Sequence, residues 1–158
     1  MNLSDHFTLA EFLRSDTASK YNIKNVATEQ HVKNMKQLCI NVLEPIRTVF
    51  NKPVIVTSGY RSNALNVTMR EHGYYTSKTS QHCKGEAADI IIAGVSNVEI
   101  AKKLLNHGII YDQCIIESAK RIDANNVIHL SNWLHISFTL DRENRMQCFK
   151  MHNGKVYC

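Results

Sequence analysis

An acid inside an apolar run constrains this chain more than any other residue. Ala87-Ala88-Asp89-Ile90-Ile91-Ile92 has the length and β-branched content of a strand, yet Asp89 sits among its aliphatic neighbours. An ionised carboxylate there is costly unless it is paired or bound to a cation, so something positive should stand beside it. A carboxylate satisfied by backbone amides is the alternative. The chain can build an interior in which this matters: 158 residues form one ordinary domain, read here as a single unit over 1–158, that buries roughly 68–70% of its unfolded surface. With 44% hydrophobic residues, 21% charged, six Gly and two Pro, collagen-like, low-complexity and disordered classes are excluded.

Around that strand the periodicities predict helices early and strands late. Thr8-Leu9-Ala10-Glu11 reads as a capping box opening a short helix with Leu9, Phe12 and Leu13 inward. Val32, Met35, Cys39, Val42, Ile46 and Val49 trace a helix from about Thr28 to Phe50, which Pro45 should kink or break. Pro53 to Thr57 reads as a strand ending in Ser58-Gly59-Tyr60-Arg61, and Asn63 to His72 as a helix closed by Gly73. After Asp89's strand, Ser96-Asn97-Val98-Glu99 starts a helix that stops before Gly108, and Ile109 to Glu117 is a strand. Trp133 to Leu140 alternates Leu134, Ile136 and Phe138 against His135, Ser137 and Thr139, a strand with one buried face. Met146 to Lys150 and Lys155 to Tyr157, joined through Asn153-Gly154, read as a hairpin. The class is α+β, with a mainly antiparallel sheet and helices packed on it.

The net charge of +5 favours an acidic partner: nucleic acid, an anionic membrane surface or an anionic cell wall. A solvated, mildly basic surface is the plainer alternative. No basic run exceeds two residues and no Arg/aromatic ladder accompanies it, so dedicated nucleic-acid recognition has no motif. No stretch approaches the ~20 apolar residues of a membrane span, and membrane insertion is not expected. The N-terminus shows no secretory pattern, so the expectation is a protein made in the cytoplasm, or one that leaves by another route; separately, a monomer is expected. The five cysteines, Cys39, Cys83, Cys114, Cys148 and Cys158, are scattered without a C-x-x-C pair and read as free thiols. Cys39, Cys114 and Cys148 fall in apolar patterns that suit burial. Cys83, beside His82, is a minor candidate ligand.

His82 precedes Asp89 by seven residues, and the strand period sets His135 opposite the core-facing Leu134 and Ile136. Two imidazoles and a carboxylate are the ligand set of a catalytic zinc site. Ser58-Gly59-Tyr60-Arg61, Ser80-x-His82-x-x-Gly85-x-Ala87-x-Asp89 and Trp133-x-His135 together resemble the three ordered signatures of the zinc D-Ala-D-Ala carboxypeptidases and phage endolysin peptidases. That superfamily also holds the hedgehog signalling domain. The resemblance reaches Phe7-Thr8-Leu9-x-Glu11, Leu43 to Arg47 and Asp112 to Glu117, and is closest to the small single-domain branch.

The resemblance implies that His82, Asp89 and His135 bind zinc and that Arg61 stabilises the oxyanion, a structural salt-bridging arginine being the alternative for Arg61. It implies a zinc peptidase acting on D-alanyl bonds of peptidoglycan stem peptides or cross-bridges, as carboxypeptidase or endopeptidase. A phage or prophage lysis enzyme, released by a holin or carried in a virion, fits that expectation. Tyr60, Ser80 and Trp133, inside the motifs, are expected at the substrate, with Ser80 alternatively a simple turn former. Many relatives place an acid three residues before the last His, where this chain has Asn132. Glu117, matching the acid that hedgehog and small-branch peptidases carry at a strand end, is therefore the expected general base. If Glu117 only caps a loop, the chain is instead a zinc-bearing binding module without turnover. Tyr74, Tyr75 and His129 are candidates to line the cleft, Asp112 to orient a neighbour, and the other histidines to lie at the surface.

Overall fold

The computed structural model describes residues 1–122 and 125–157; Cys158, one of the expected free thiols, lies outside them. Helix α1 (Leu9–Leu13) is opened by the expected box, with the Thr8 amide donating to the Glu11 carboxylate at 2.7 Å. Phe12 is its buried residue, with Leu9 and Leu13 packed against the core. Helix α2 (Asp16–Lys20) follows at once, capped by Ser15, whose hydroxyl accepts from the Ala18 amide. The sequence reading has no counterpart for α2, because five residues are too few to show a period.

Residues 29–50 answer the Pro45 question in an unexpected way. Helix α3 (Glu29–Leu38) passes through one wide π turn (Cys39–Leu43) into α4 (Glu44–Phe50), whose first turn holds Pro45. The Glu44 amide reaches back five residues to the Cys39 carbonyl. No break results, since the widened turn lies just before Pro45 and its missing N–H falls in the first turn of α4.

Six strands form one sheet in the order β1-β2-β4-β3-β5-β6: β1 (Ile55–Ser58), β2 (Ala87–Ile91), β3 (Gln113–Ile122), β4 (Ile128–Ser137), β5 (Gln147–His152) and β6 (Lys155–Tyr157). All neighbours are antiparallel except β3 and β5. Helices α5 (Asn63–Glu71) and α6 (Asn97–Asn106) complete the α+β fold. Ala88, Ile90, Cys114, Leu134 and Ile136 point to one face, where Met35, Leu38, Val42, Leu43, Ile46, Ile100 and Leu104 cover them. The opposite face of the central strands is left to the site.

Three expectations need correction. The strand expected from Ile109 begins only at Gln113, because Ile109 and Tyr111 are buried plugs on the approach to the sheet. The strand expected to end at Leu140 ends at Ser137, one residue before a last register bond from the Phe138 amide to the Glu86 carbonyl, and both of its faces are buried at His135 and Ser137. Cys148 is exposed, since it lies on β5, beyond the strands that the helices cover. No described helix is long and apolar enough to cross a membrane.

Candidate metal centre

Asp89 on β2 stands directly across from His135 on β4, and His135 directly across from Ile115 on β3. Opposed residues in an antiparallel ladder share a face, so this register alone brings an acid and an imidazole together. His82 arrives from a 3₁₀ turn (Gln81–Lys84) closed by Gly85 at φ +72°. A Cβ on Gly85 would lie 2.6 Å from the His31 carbonyl oxygen, so only glycine lets this turn sit against α3.

Three donor atoms converge: His82 Nε2 lies 3.1 Å from His135 Nδ1 and 3.2 Å from Asp89 Oδ1, and His135 Nδ1 lies 3.2 Å from the same oxygen. Edges of this length are close to the ~3.3 Å spacing of tetrahedral donors each about 2.0 Å from a shared centre. The hydrogen bonding leaves donors that can turn to a cation. His82 Nδ1 donates to the Gly59 carbonyl at 2.6 Å, which leaves Nε2 as a lone pair aimed at a carboxylate. Burial, with the Arg61 charge adding to it, pushes His82 down to about 4, so the imidazole is neutral. Asp89 is also buried, which alone would raise it, but His82, His135 and Arg61 outweigh this and hold it far below the usual carboxylate range. These residues fit a zinc ion. Cys83 is half-buried and is not part of the cluster.

Arg61 is held from three sides. A bulge in β1 sets Ser58 opposite Asp89 while Thr57 gives its hydroxyl to the Asp89 carbonyl. The guanidinium donates to Asp89 Oδ2 at 3.1 Å, to Ser58 Oγ at 3.4 Å and to Thr76 Oγ1 at 3.0 Å. Thr76 in turn donates to the buried Asn66. Asn25 ties the turn to α1 by donating to the Leu13 and Tyr60 carbonyls and accepting from the Ser62 amide. A Cβ on Gly59 would lie 2.6 Å from Phe12 Cα, so glycine is needed where the turn meets α1. Ser58, Thr76, Asn66 and Asn25 were not foreseen as site residues. Only Ser58 and Gly59, inside the Ser-Gly-Tyr-Arg motif, carried a local signal.

The cleft over the cluster holds about 480 Å³ and is walled by Arg61, Ser80, Glu117 and Trp133 besides the three donors. Glu117 sits on β3 across from Trp133, two residues along from the His135 register, and so on the same face. Burial, reinforced by the Asp89 charge against the pull of His135 and Arg61, raises it to about 7. Asn132, an odd number of residues from His135 along β4, takes the other face of the strand and is exposed. Ser80 is buried at the cleft wall, whereas Tyr60 is only 5% exposed and belongs to the core, its ring 4.8 Å from that of His31.

Residues 5–131 match the profile of the family described as Peptidase M15. The chain belongs to the M15 peptidase family. This is the zinc D-Ala-D-Ala carboxypeptidase family that its motifs resemble, and its members are zinc-dependent. Among curated proteins no match is found. The match stops short of His135, which the β2–β4 register sets across from Asp89 in a group that could hold a metal ion.

Proposed function

We propose that the protein is a zinc-dependent peptidoglycan peptidase that hydrolyses D-alanyl peptide bonds in wall stem peptides or cross-bridges. The observation that carries this is one cleft holding both the His82–Asp89–His135 donors and a buried carboxylate, Glu117, on the face they share. A +5 net charge suits an anionic wall, and delivery through a holin or in a virion goes with this reading.

Bound zinc would polarise the scissile carbonyl and make water nucleophilic near neutral pH. The protein's residues supply the rest. Glu117 takes a proton from the attacking water and returns it to the leaving amine as the C–N bond breaks, a task suited to a carboxyl group near 7. The water oxygen ends in the new carboxylate. Arg61, fixed by Ser58, Thr76 and Asp89, offers guanidinium N–H groups where charge develops on the carbonyl oxygen. Ser80 and Trp133 border the substrate.

Mass spectrometry of cross-linked muropeptides incubated with zinc-loaded protein tests this beside a Glu117→Gln variant of equal zinc content. Cleavage by the parent, reduced ~10²–10⁴-fold in the variant, is the expected result. Zinc bound in both with no cleavage by either would make the protein a metal-stabilised binding module.

A further inference from the structure

Two thiols stand side by side on the face of the sheet opposite the metal cluster. Cys114 on β3 is directly across from Cys148 on β5 in the parallel ladder. Residues in register on adjacent strands point to the same face, and such strands lie about 4.7–4.9 Å apart. A disulfide spans Cα atoms roughly 4.4–6.8 Å apart with its Cβ atoms somewhat closer, so the backbone is in range and only a small approach remains. The neighbourhood allows that approach. Strand β6 pairs only with Lys150, Met151 and His152, so Gln147 to Phe149 has β3 on one side and no described strand on the other.

The two thiols differ in the way a bridge requires. Cys148 is exposed, so an oxidant meets it first, whereas Cys114 is fully buried and is reached only through its neighbour. Burial pushes the Cys114 thiol up, and the charge and hydrogen bonding of Cys148 add to this. Packing accounts for Cys114 among apolar side chains, but not for a thiol on the open side of β5. The Tyr111 hydroxyl is buried without a hydrogen-bond partner among the described residues; burial, then the charges of both thiols, raise it to about 12. An O–H donor is therefore at hand for a sulfur that gives up its proton. The loop between the two cysteines carries His135, and with it Arg142 and Arg145, which donate to Asp112.

We propose that Cys114 and Cys148 close an intramolecular disulfide when the protein meets an oxidised low-molecular-weight disulfide, tying β5 to β3 and cross-linking the loop that carries His135. The Cys148 thiolate attacks one sulfur of the oxidant, and the other sulfur leaves and takes up a proton as the first small thiol. Cys114 then gives up its proton and attacks the Cys148 sulfur of the mixed disulfide, forming the internal S–S bond and expelling the second small thiol. Two protein thiols are oxidised by two electrons, and one small disulfide is reduced to two thiols. Neither cysteine belongs to the donor cluster, so the proposal stands apart from the peptidase reading.

The test incubates the zinc-loaded full-length protein with excess oxidised glutathione, alkylates the remaining thiols after unfolding, and maps unreduced tryptic peptides by mass. The expected product joins the Cys114 peptide to the Cys148 peptide, with Cys39, Cys83 and Cys158 alkylated. Its melting temperature should lie at least about 5 °C above that of the reduced protein, as a cross-link over a long loop predicts. A Cys148→Ser variant, altered only at an exposed position, should show no such rise under the same oxidant. Recovery of Cys148 as a glutathione adduct, as a free thiol or joined to Cys83 or Cys158, with Cys114 alkylated, overturns the proposal. A Cys114–Cys148 link without the rise in melting temperature overturns the claim that it locks the loop.

Discussion

Asp89 and Asp112 are both buried carboxylates beside the same cleft, 6% and 0% exposed, yet their surroundings are opposite in kind. Asp112 is fully answered by the protein: Arg142, Arg145, the Arg145 amide and Gln81 all donate to it. Asp89 receives one arginine on one oxygen, while its other oxygen faces two imidazole nitrogens, one of them a lone pair fixed by the Gly59 carbonyl. Burial of an acid therefore says little by itself. The partners decide whether it is a finished structural clamp or a site that could hold a cation.

Substitution separates the two most sharply. Asp89→Asn keeps the shape but removes the charge that the proposed zinc site relies on. Residues one step further from a metal typically cost 10–100-fold in affinity, so a direct ligand should cost more than about 100-fold. Zinc competition against a chelator measures it, and an affinity within tenfold of the parent would remove Asp89 from the ligand set. Arg61→Ala comes next, with a kcat loss of about 10²–10³ and an unchanged fold. A loss confined to KM would reduce Arg61 to a substrate contact.

Asp112→Ala should behave in the reverse way. It deletes the acceptor that ties the segment after β4 to the sheet, and the freed guanidinium groups are partly exposed, so water recovers some of their solvation. A stability loss of about 2 kcal/mol in urea unfolding is expected, below the 3–5 kcal/mol seen when a fully buried pair is broken. Zinc affinity should stay within a few-fold. If zinc affinity fell as far as in Asp89→Asn, the clamp would belong to the metal centre through Gln81 and His82, and the contrast between the two acids would collapse.

The same contrast explains what was legible in the sequence. Asp89 and His135 could be read because a strand's period of two and an out-of-place acid are local signals, and the β2–β4 register then joined them. His82 was legible through its spacing and motif. The groups that hold Arg61 were not, because Thr76, Asn66 and Asn25 are ordinary polar residues whose meaning comes from contacts across distant loops. Asp112 was marked as an orienting residue, but Arg142 and Arg145 lie about thirty residues away with no periodic pattern to announce them. Tyr60, expected at the substrate from its motif, is buried with the core yet also lines the cavity beside Arg61 and Asp89, a double placement that no local pattern announces. Helix α2 and the π turn at Cys39–Leu43 escaped for a simpler reason: each is about one turn long, too short for a hydrophobic period.

The smallest effect is proton-linked. Burial alone would raise Asp112, but the hydrogen bonds and charges of Arg142 and Arg145 outweigh it and hold the carboxyl well below its ordinary value. A group depressed in the folded state adds stability that is fully present above its unfolded pKa of about 3.9 and is lost as pH falls through the folded value. The parent should therefore lose stability below about pH 5 with a contribution that Asp112→Asn lacks. Unfolding free energies of the two proteins from urea titration should differ most near pH 6, by about 1–2 kcal/mol, and converge toward pH 2. Zinc release and the titration of Asp89 act on both proteins and cancel in the difference. A gap that stays constant across this range would mean that Asp112 holds its arginines by shape and hydrogen bonding rather than by charge, so that the contrast with Asp89 would rest on partners alone.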